Sequence, residues 1–392
     1  MRILLDCSQV RGGGGIQSTL SLLGYTAQEA THEWHVVVSK EMSQEVAQEL
    51  KGAFASFTAL PPARSALGRV FGPKIYLPHI ERRVDPDLVV TAFGPAYWRP
   101  KARHVVGFAF AWIVYPRSPA YARMSGFRRR LFRLVNVFKA REFQRADGLI
   151  CETEAIRQRI HSVLKYPLER IRVVGNTYSP TFARTVQRDH QARDSHCFRI
   201  AVPAQYYPNK NLELIPATAR LLEEQLGRPF EFVFTLDEQS PGWRRLCEMA
   251  LRAGVPDRIR TMGTLRHEDI WGLYRIADAV FLPTLLECST AVYPESFHAS
   301  LPLATSDIRF ARDLCGNAAL YFDPQSPQAA SDALLRIARD DQLRSRLVAA
   351  GRETLSNNYA TPEQKWAAQL QAIEEFASIE PARSRQVAMA PL

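Results

Sequence analysis

The stretch FLPTLLECSTAVYPESFHASLPLATSD, residues 281–307, decides how the chain is read. It opens at the end of an apolar run, Ala279–Leu282, that reads as a buried strand. A turn-rich loop follows over Pro283–Val292. Pro294 then sits where a helix begins, because proline is best tolerated in a first turn. A strand, a loop and a helix N-terminus in that order make an anion site, since free N–H groups and the helix dipole both favour a phosphate. Two carboxylates bracket this site, Glu287 in the loop and Glu295 in the first helical turn, with seven residues between them. Taken singly, Glu295 is explained by the dipole and Glu287 by solvation of a loop.

The same alternation of strand and helix recurs on both sides of this stretch. Towards the N-terminus of this half, strands are expected at Phe198–Pro203, Phe230–Thr235 and Arg258–Met262, and beyond the stretch at Leu303–Ser306 and Ala319–Phe322. Helices are expected at Asn211–Leu226, Trp243–Ala253, His267–Ile276, Pro327–Ala338 and Asp341–Leu355. The first half reads likewise, with strands at Arg2–Asp6, Trp34–Ser39, Asp87–Ala92, His104–Phe110, Gly148–Glu152 and Ile171–Gly175. Helices there are expected over Ile16–Leu23, Met42–Lys51 and Phe127–Gln144, and from Glu154. Such alternation predicts parallel sheets covered on both faces. Gly12–Gly15 follow the first strand, at the end where open α/β sheets place ligands, and glycines let a backbone come close to one.

Glu-x7-Glu followed by a short helix and Leu-Pro-Leu-Ala-Thr-Ser-Asp (301–307) resembles the signature of the retaining family-4 glycosyltransferases. The resemblance covers about residues 1–378 and is strongest over 260–325. It implies an α/β GT-B fold: two Rossmann-like domains facing a cleft, with a terminal helix crossing back onto the first. The boundaries expected are 1–180 for the acceptor domain, 181–196 for a linker, 197–357 for the donor domain and 358–378 for the returning helix. Residues 379–392 lack periodicity and read as a disordered tail.

The resemblance also assigns roles. Glu287 faces the donor sugar and Glu295 the ribose of the nucleotide. Lys210 matches the lysine of an Arg-x4-Lys segment that holds the diphosphate, with Gln205 standing where the arginine is expected. Backbone N–H groups at Thr290, Ala291 and Val292 are expected on the distal phosphate, Thr264 near the base, and Gly14 and Gly15 beside the donor phosphate and the acceptor. Three departures stand out: Cys288-Ser289-Thr290 replaces Gly-Phe-Gly, Gln205 replaces arginine, and no histidine ends the strand around Gly107–Phe110. His104 lies at that strand's start and reads as structural.

The implied partners are a nucleotide-sugar donor and a saccharide or lipid-linked acceptor of the O-antigen or exopolysaccharide kind, with no metal and no cofactor. A sugar-nucleotide epimerase and a non-catalytic nucleotide- or partner-binding relative are the alternatives. The former would act on donor alone, without an acceptor.

Composition limits the rest. The 392 residues are 46% hydrophobic, enough for two cores. No apolar run reaches the roughly 20 residues that span a bilayer, and the N-terminus reads as a strand rather than a signal peptide. A cytoplasmic protein is expected. None of the six cysteines lies in a C-x-x-C pair, so neither zinc nor a disulfide framework is indicated. Cys7 and Cys151, at strand ends, read as small core residues.

Charge is uneven. Residues 1–195 hold 29 Lys and Arg against 16 Asp and Glu, whereas the remainder holds 21 against 24. The basic half is suited to an anionic membrane surface. On the Phe127–Gln144 helix, Phe127, Leu131, Leu134, Val135 and Phe138 share one face and arginines cover the rest. That pattern fits either a helix packed on the core or one laid on anionic lipid. Arg64, Arg69, Lys74, Arg82 and Arg83, among Leu67, Val70, Phe71, Ile75 and Leu77, extend the basic surface. Nucleic acid fits less well, since no binding module accompanies the charge.

Overall fold

Along the first strand every residue from Ile3 to Cys7 is buried, on both faces of the pleat. A strand of this kind belongs inside a parallel sheet with helices on either side. The computed structural model, which describes residues 1–63, 65–185, 196–266 and 268–378, shows two such sheets in two units.

The first unit contains β1 (Arg2–Cys7), α1 (Gly14–Thr26), β2 (Glu33–Val38), α2 (Lys40–Glu45), α3 (Gln48–Gly52), β3 (Ser56–Ala59), α4 (Ala66–Val84), β4 (Leu88–Thr91), β5 (Arg103–Phe108), α5 (Ala111–Val114), α6 (Gly126–Gln144), β6 (Gly148–Cys151), α7 (Glu154–Leu164) and β7 (Ile171–Val173). Its seven strands lie in the order β3-β2-β1-β4-β5-β6-β7. All their pairings are parallel.

The second unit begins at Asn176 and contains α8 (Pro180–Thr185), β8 (Phe198–Val202), α9 (Ile215–Leu226), β9 (Phe230–Phe234), α10 (Pro241–Arg252), β10 (Ile259–Thr261), α11 (Ile270–Ile276), β11 (Ala279–Leu282), α12 (Val292–His298), β12 (Leu303–Ser306), α13 (Arg309–Cys315), β13 (Ala319–Phe322), α14 (Pro327–Arg339) and α15 (Asp341–Asn358). Its strands run β10-β9-β8-β11-β12-β13, again all parallel. A short segment of the first half, Arg117–Met124, packs as part of this second unit. The last helix, α16 (Pro362–Ser378), packs from Glu363 onward with the first.

The packing of α16 is specific. Ile373 and Phe376 enter the core formed by Ile3, Leu5, Val36 and Leu88. Trp366 stacks on Tyr25, and the Tyr25 hydroxyl donates to Glu363. Trp366 and Ile373 share one helix face, as their spacing predicts.

Several expectations need correction. The helix expected over Met42–Lys51 is two helices, α2 and α3, because Val46 and Ala47 are extended. Helix α4 was not anticipated, since Pro73 and Pro78 lie inside it. Leu77, expected on the exposed basic surface, is fully buried against Leu4, Val37 and Val89. The reading of α6 as a helix packed on the core by its apolar face is overturned. Phe127, Leu131, Leu134, Val135 and Phe138 are exposed, and the residues turned inward are Asn136, Ala140, Glu142 and Phe143. Arg64, most of the expected linker, the start of the helix expected at His267, and the tail lie outside the described residues. Cys7 and Cys151 are buried as core. No helix of the described residues is long and apolar enough to cross a membrane.

Candidate active site

Where the connections of an open parallel sheet change direction, the loops after two neighbouring strands diverge and leave a crevice for a ligand. In the second unit that reversal lies between β8 and β11, which pair through Ile200–Ala279 and Ala201–Val280. The loop after β8 carries Gln205 and Lys210. The loop after β11 carries Glu287. Both readings from the sequence therefore fall at the same strand ends.

The two loops are stitched together. Leu285 N donates to Asn209 O at 2.7 Å, Asn209 Nδ2 to Leu286 O at 2.9 Å, and Thr284 Oγ1 to Asn209 O at 3.0 Å. The result is that Lys210 Nζ lies 2.5 Å from Glu287 Oε1, an oxygen that Thr284 Oγ1 also reaches at 2.9 Å. Asn211, at φ 55°, turns the chain away after Lys210, and its Nδ2 is anchored to Pro324 O at 2.9 Å. Asparagine tolerates this left-handed backbone better than most residues.

Glu295 lies in the first turn of α12 and is only 4% exposed. The hydroxyl of Tyr274, from α11, donates to its Oε2 at 2.7 Å. Burial pushes the Glu295 carboxyl up to about 7, and the Tyr274 hydrogen bond draws it back towards the ionised form. Burial, followed by the neighbouring Glu295 charge, in turn raises the Tyr274 phenol well above its ordinary range. One oxygen of Glu295 is thus held by a phenol from the neighbouring helix.

The remaining expected residues are placed less uniformly. Thr290 is buried and its Oγ1 accepts from Val292 N at 3.3 Å. The Val292 N–H expected on a phosphate is therefore engaged within the loop. Ala291 immediately precedes α12 and makes no side-chain cap. Gln205 is half-buried and brings no charge. Thr264 is exposed just after β10, following Gly263 at φ +74°. Gly14 and Gly15 form the first turn of α1 in the other unit, behind Gly13 at φ 61°. A Cβ at Gly12 or Gly14 would meet nothing within 4 Å, so packing within the chain does not explain glycine at either position. His104 is buried at the start of β5, 2.9 Å from Thr91 Oγ1, and burial lowers its pKa to about 4. It is a structural histidine, as its early position implies.

Three neighbours of the site escaped the sequence reading. Tyr274 and Thr284 lie 21 and 3 residues from the acids they support, and neither belongs to a motif. The third is Arg123. The segment Arg117–Met124 lies against both loops: Ser118 Oγ donates to Leu285 O at 3.3 Å, and the Arg123 guanidinium donates to Asn211 Oδ1. A cation from residue 123 therefore stands beside the residue that follows Lys210. A partner so distant in sequence leaves no spacing signal to find. Among the described residues no set of three His, Cys, Asp or Glu side chains gathers as metal ligands.

With this geometry established, comparison with known proteins identifies its kind. Residues 13–182 match the model of Glycosyltransferase Family 4, and residues 184–354 that of Glycosyl transferases group 1. No curated protein sequence matches the chain. Among solved structures, WaaG, a glycosyltransferase involved in lipopolysaccharide biosynthesis, is similar at TM-score 0.73 and 16% identity, over 94% of this chain and 99% of that one. The sucrose-phosphate synthase of Thermosynechococcus elongatus gives 0.72 and 15%, over 97% and 100%. Anabaena HepE, solved in complex with UDP-glucose, gives 0.69 and 14%, over 97% and 100%. The chain has the GT-B fold, and its two halves match glycosyltransferase domains, family 4 first and then group 1.

Proposed function

We propose that this chain moves a sugar from a nucleoside-diphosphate donor to a hydroxyl of a saccharide or lipid-linked acceptor, with retention of configuration and without a metal. The observation that carries the reading is the Lys210–Glu287 contact at the reversal of strand order. A departing diphosphate carries at least two negative charges, and aimed cations and N–H groups stabilise such charge as it develops. Lys210 is the first cation. Arg123 takes the place of the arginine missing at 205. Glu287 lies where it meets the sugar, and Glu295 accepts from the ribose hydroxyls while Tyr274 holds its other oxygen.

In the reaction the C1–O bond to the diphosphate breaks and a bond from C1 to the acceptor oxygen forms on the same face. The acceptor proton passes to the departing phosphate oxygen. Such a step depends on placement of donor and cations more than on a side-chain base. HepE is solved with UDP-glucose and WaaG acts in lipopolysaccharide biosynthesis, which supports a nucleotide-sugar donor and a surface-polysaccharide acceptor. A position at the inner face of a membrane completes the reading.

A thermal-shift screen of UDP, GDP, dTDP and ADP tests it, because a ligand that binds only the folded chain raises its melting temperature. One nucleotide should stand out, and Glu295→Ala should remove its effect. Unchanged affinity in that variant would count against the assignment. Product formed from donor alone would favour an epimerase, and binding without turnover in cell extract a non-catalytic role.

A further inference from the structure

Two helices on the first sheet turn apolar side chains to solvent. The crossovers from β3 to β4 and from β5 to β6 run in the same direction across the sheet, so right-handed connections put α4 and α6 on one face. The cores agree. Leu77 of α4 packs with Leu4, Val37 and Val89, and the Phe143 ring of α6 lies 4.7 Å from that of Phe108 at a tilt, all from that side. The loop between β4 and β5 joins them, with Trp98 in the cluster of Leu77 and Tyr97 stacked on Phe138.

Both helices are anchored through their C-terminal halves, by Leu77 and Val84 on α4 and Ala140 and Phe143 on α6, and expose apolar residues in their N-terminal halves. On α4, Leu67, Phe71 and Ile75 are 68%, 52% and 59% exposed. On α6, Phe127, Leu131 and Leu134 are 78%, 53% and 68% exposed. A helix that returns antiparallel to its strands begins at the edge where the strands end. Gln9 confirms the placement: it sits between β1 and the glycine run, and its Nε2 reaches the Arg69 carbonyl of α4 at 3.4 Å. The apolar patch therefore adjoins the edge that carries Gly14 and Gly15.

The charge around it has one sign. Arg128, Arg130, Arg133 and Arg141 of α6, with Arg69 and Lys74 of α4, are exposed. The acids on these helices, Glu81 and Glu142, are buried and engaged elsewhere. Apolar side chains among cations match the boundary between acyl chains and anionic headgroups.

We propose that the N-terminal halves of α4 and α6 form one docking patch for an anionic bilayer, and that it brings a lipid-linked acceptor to the sheet edge at Gly14–Gly15. The docking stands on the surface alone; the delivery of acceptor rests on the transferase reading above.

Flotation of the full chain with phosphatidylcholine vesicles, alone or mixed with phosphatidylglycerol, tests the patch. Two apolar variants are used, Phe127→Ser/Leu131→Ser/Leu134→Ser and Leu67→Ser/Phe71→Ser/Ile75→Ser. The charge variant is Arg128→Gln/Arg130→Gln/Arg133→Gln. Wild type should float only with the mixed vesicles and release at high salt. The charge variant should bind about a hundredfold more weakly, at about fivefold per basic residue. Each apolar variant should bind roughly tenfold more weakly or worse. All should keep the nucleotide thermal shift and turnover on a soluble acceptor, which separates failed docking from failed folding. Equal flotation with neutral vesicles, no flotation at low salt, or variants that float like wild type would each overturn the proposal. So would a dimer that the apolar variants dissolve, since a second copy would then cover the face. Flotation that behaves as expected in a chain that binds no nucleotide would sustain the docking and remove the transferase reading.

Discussion

Lys210 and Glu287 hold each other at 2.5 Å with their side chains only 15% and 14% exposed. A pair this sheltered loses more when one partner is removed than it gains from existing, because the survivor is left with an unmatched charge. The contact therefore separates a structural role from a catalytic one. Lys210→Ala should lower turnover by about 10²–10³-fold, the effect of removing one aimed donor, and should also lower the melting temperature. Lys210→Ala/Glu287→Gln should recover the melting temperature and leave turnover lost. Recovery of both, measured by release of nucleoside diphosphate, would make the pair a mere tie between loops.

Glu295 makes nucleotide binding depend on pH. Its carboxyl is raised from an ordinary 4.5 to about 7 by burial. The folded chain then holds a proton that the unfolded chain has released. Stability from this group is greatest below 4.5 and is lost as pH rises through 7. Binding runs the other way, since an ionised carboxylate accepts from ribose hydroxyls better than a neutral acid. Affinity for the nucleoside diphosphate should rise through pH 7 and then level off. Glu295→Gln should flatten the profile, and Tyr274→Phe should move its midpoint upward by removing the hydrogen bond that favours the ionised form. Titration calorimetry across this range gives the answer, and a flat wild-type profile would exclude Glu295 from the ribose site.

Arg123 offers a suppressor test. If it supplies the charge that Gln205 lacks, Arg123→Ala should raise KM for the donor by about tenfold or more, the worth of one charge-assisted hydrogen bond. Gln205→Arg, which restores a cation on the loop after β8, should bring the value back in the double variant. Arg123→Lys should recover only part, because an ammonium lacks the bidentate fork of a guanidinium. A double variant no better than Arg123→Ala would mean that residues 205 and 123 do not serve the same phosphate.

What was legible from sequence and what was not divides along physical lines. Strand β11 lies where its apolar run falls, because a strand buried on both faces leaves a continuous signal. Glu287, Glu295 and Lys210 can be singled out from sequence because they stand at fixed spacing, two on loops and Glu295 in a first helical turn. Tyr274 and Arg123 cannot, because their contacts join elements 21 and 88 residues away. Helix α4 was hidden by Pro73 and Pro78, which argue locally for a break. The orientation of α6 is the instructive case. Its amphipathic pattern is real, but periodicity reports only that a helix has an apolar side, and here that side is turned outward. Asn136 and Ala140 take the inward positions, so the usual inference from pattern to core failed.

The return of α16 to the first unit hangs on a glycine. A Cβ built at Gly148, the first residue of β6, would lie 2.4 Å from Phe376 Cε1 and 2.5 Å from its Cδ1. Phe376 is 3% exposed and shares a cluster with Ile3, Leu5 and Ile373, so its ring has little room to retreat. Overpacking of this kind typically costs about 1–3 kcal/mol. Gly148→Ala should therefore lower stability by that amount and loosen α16. Phe376→Ala should cost about 3–5 kcal/mol through the cavity it leaves. In the double variant Gly148→Ala/Phe376→Ala the new methyl occupies part of that space, so the two losses should fall short of adding, as expected for residues in direct contact. Denaturant melts give the energies, and limited proteolysis reports whether the helix has come away. Strict additivity, with α16 resistant to protease in all three variants, would show that this contact does not hold the helix.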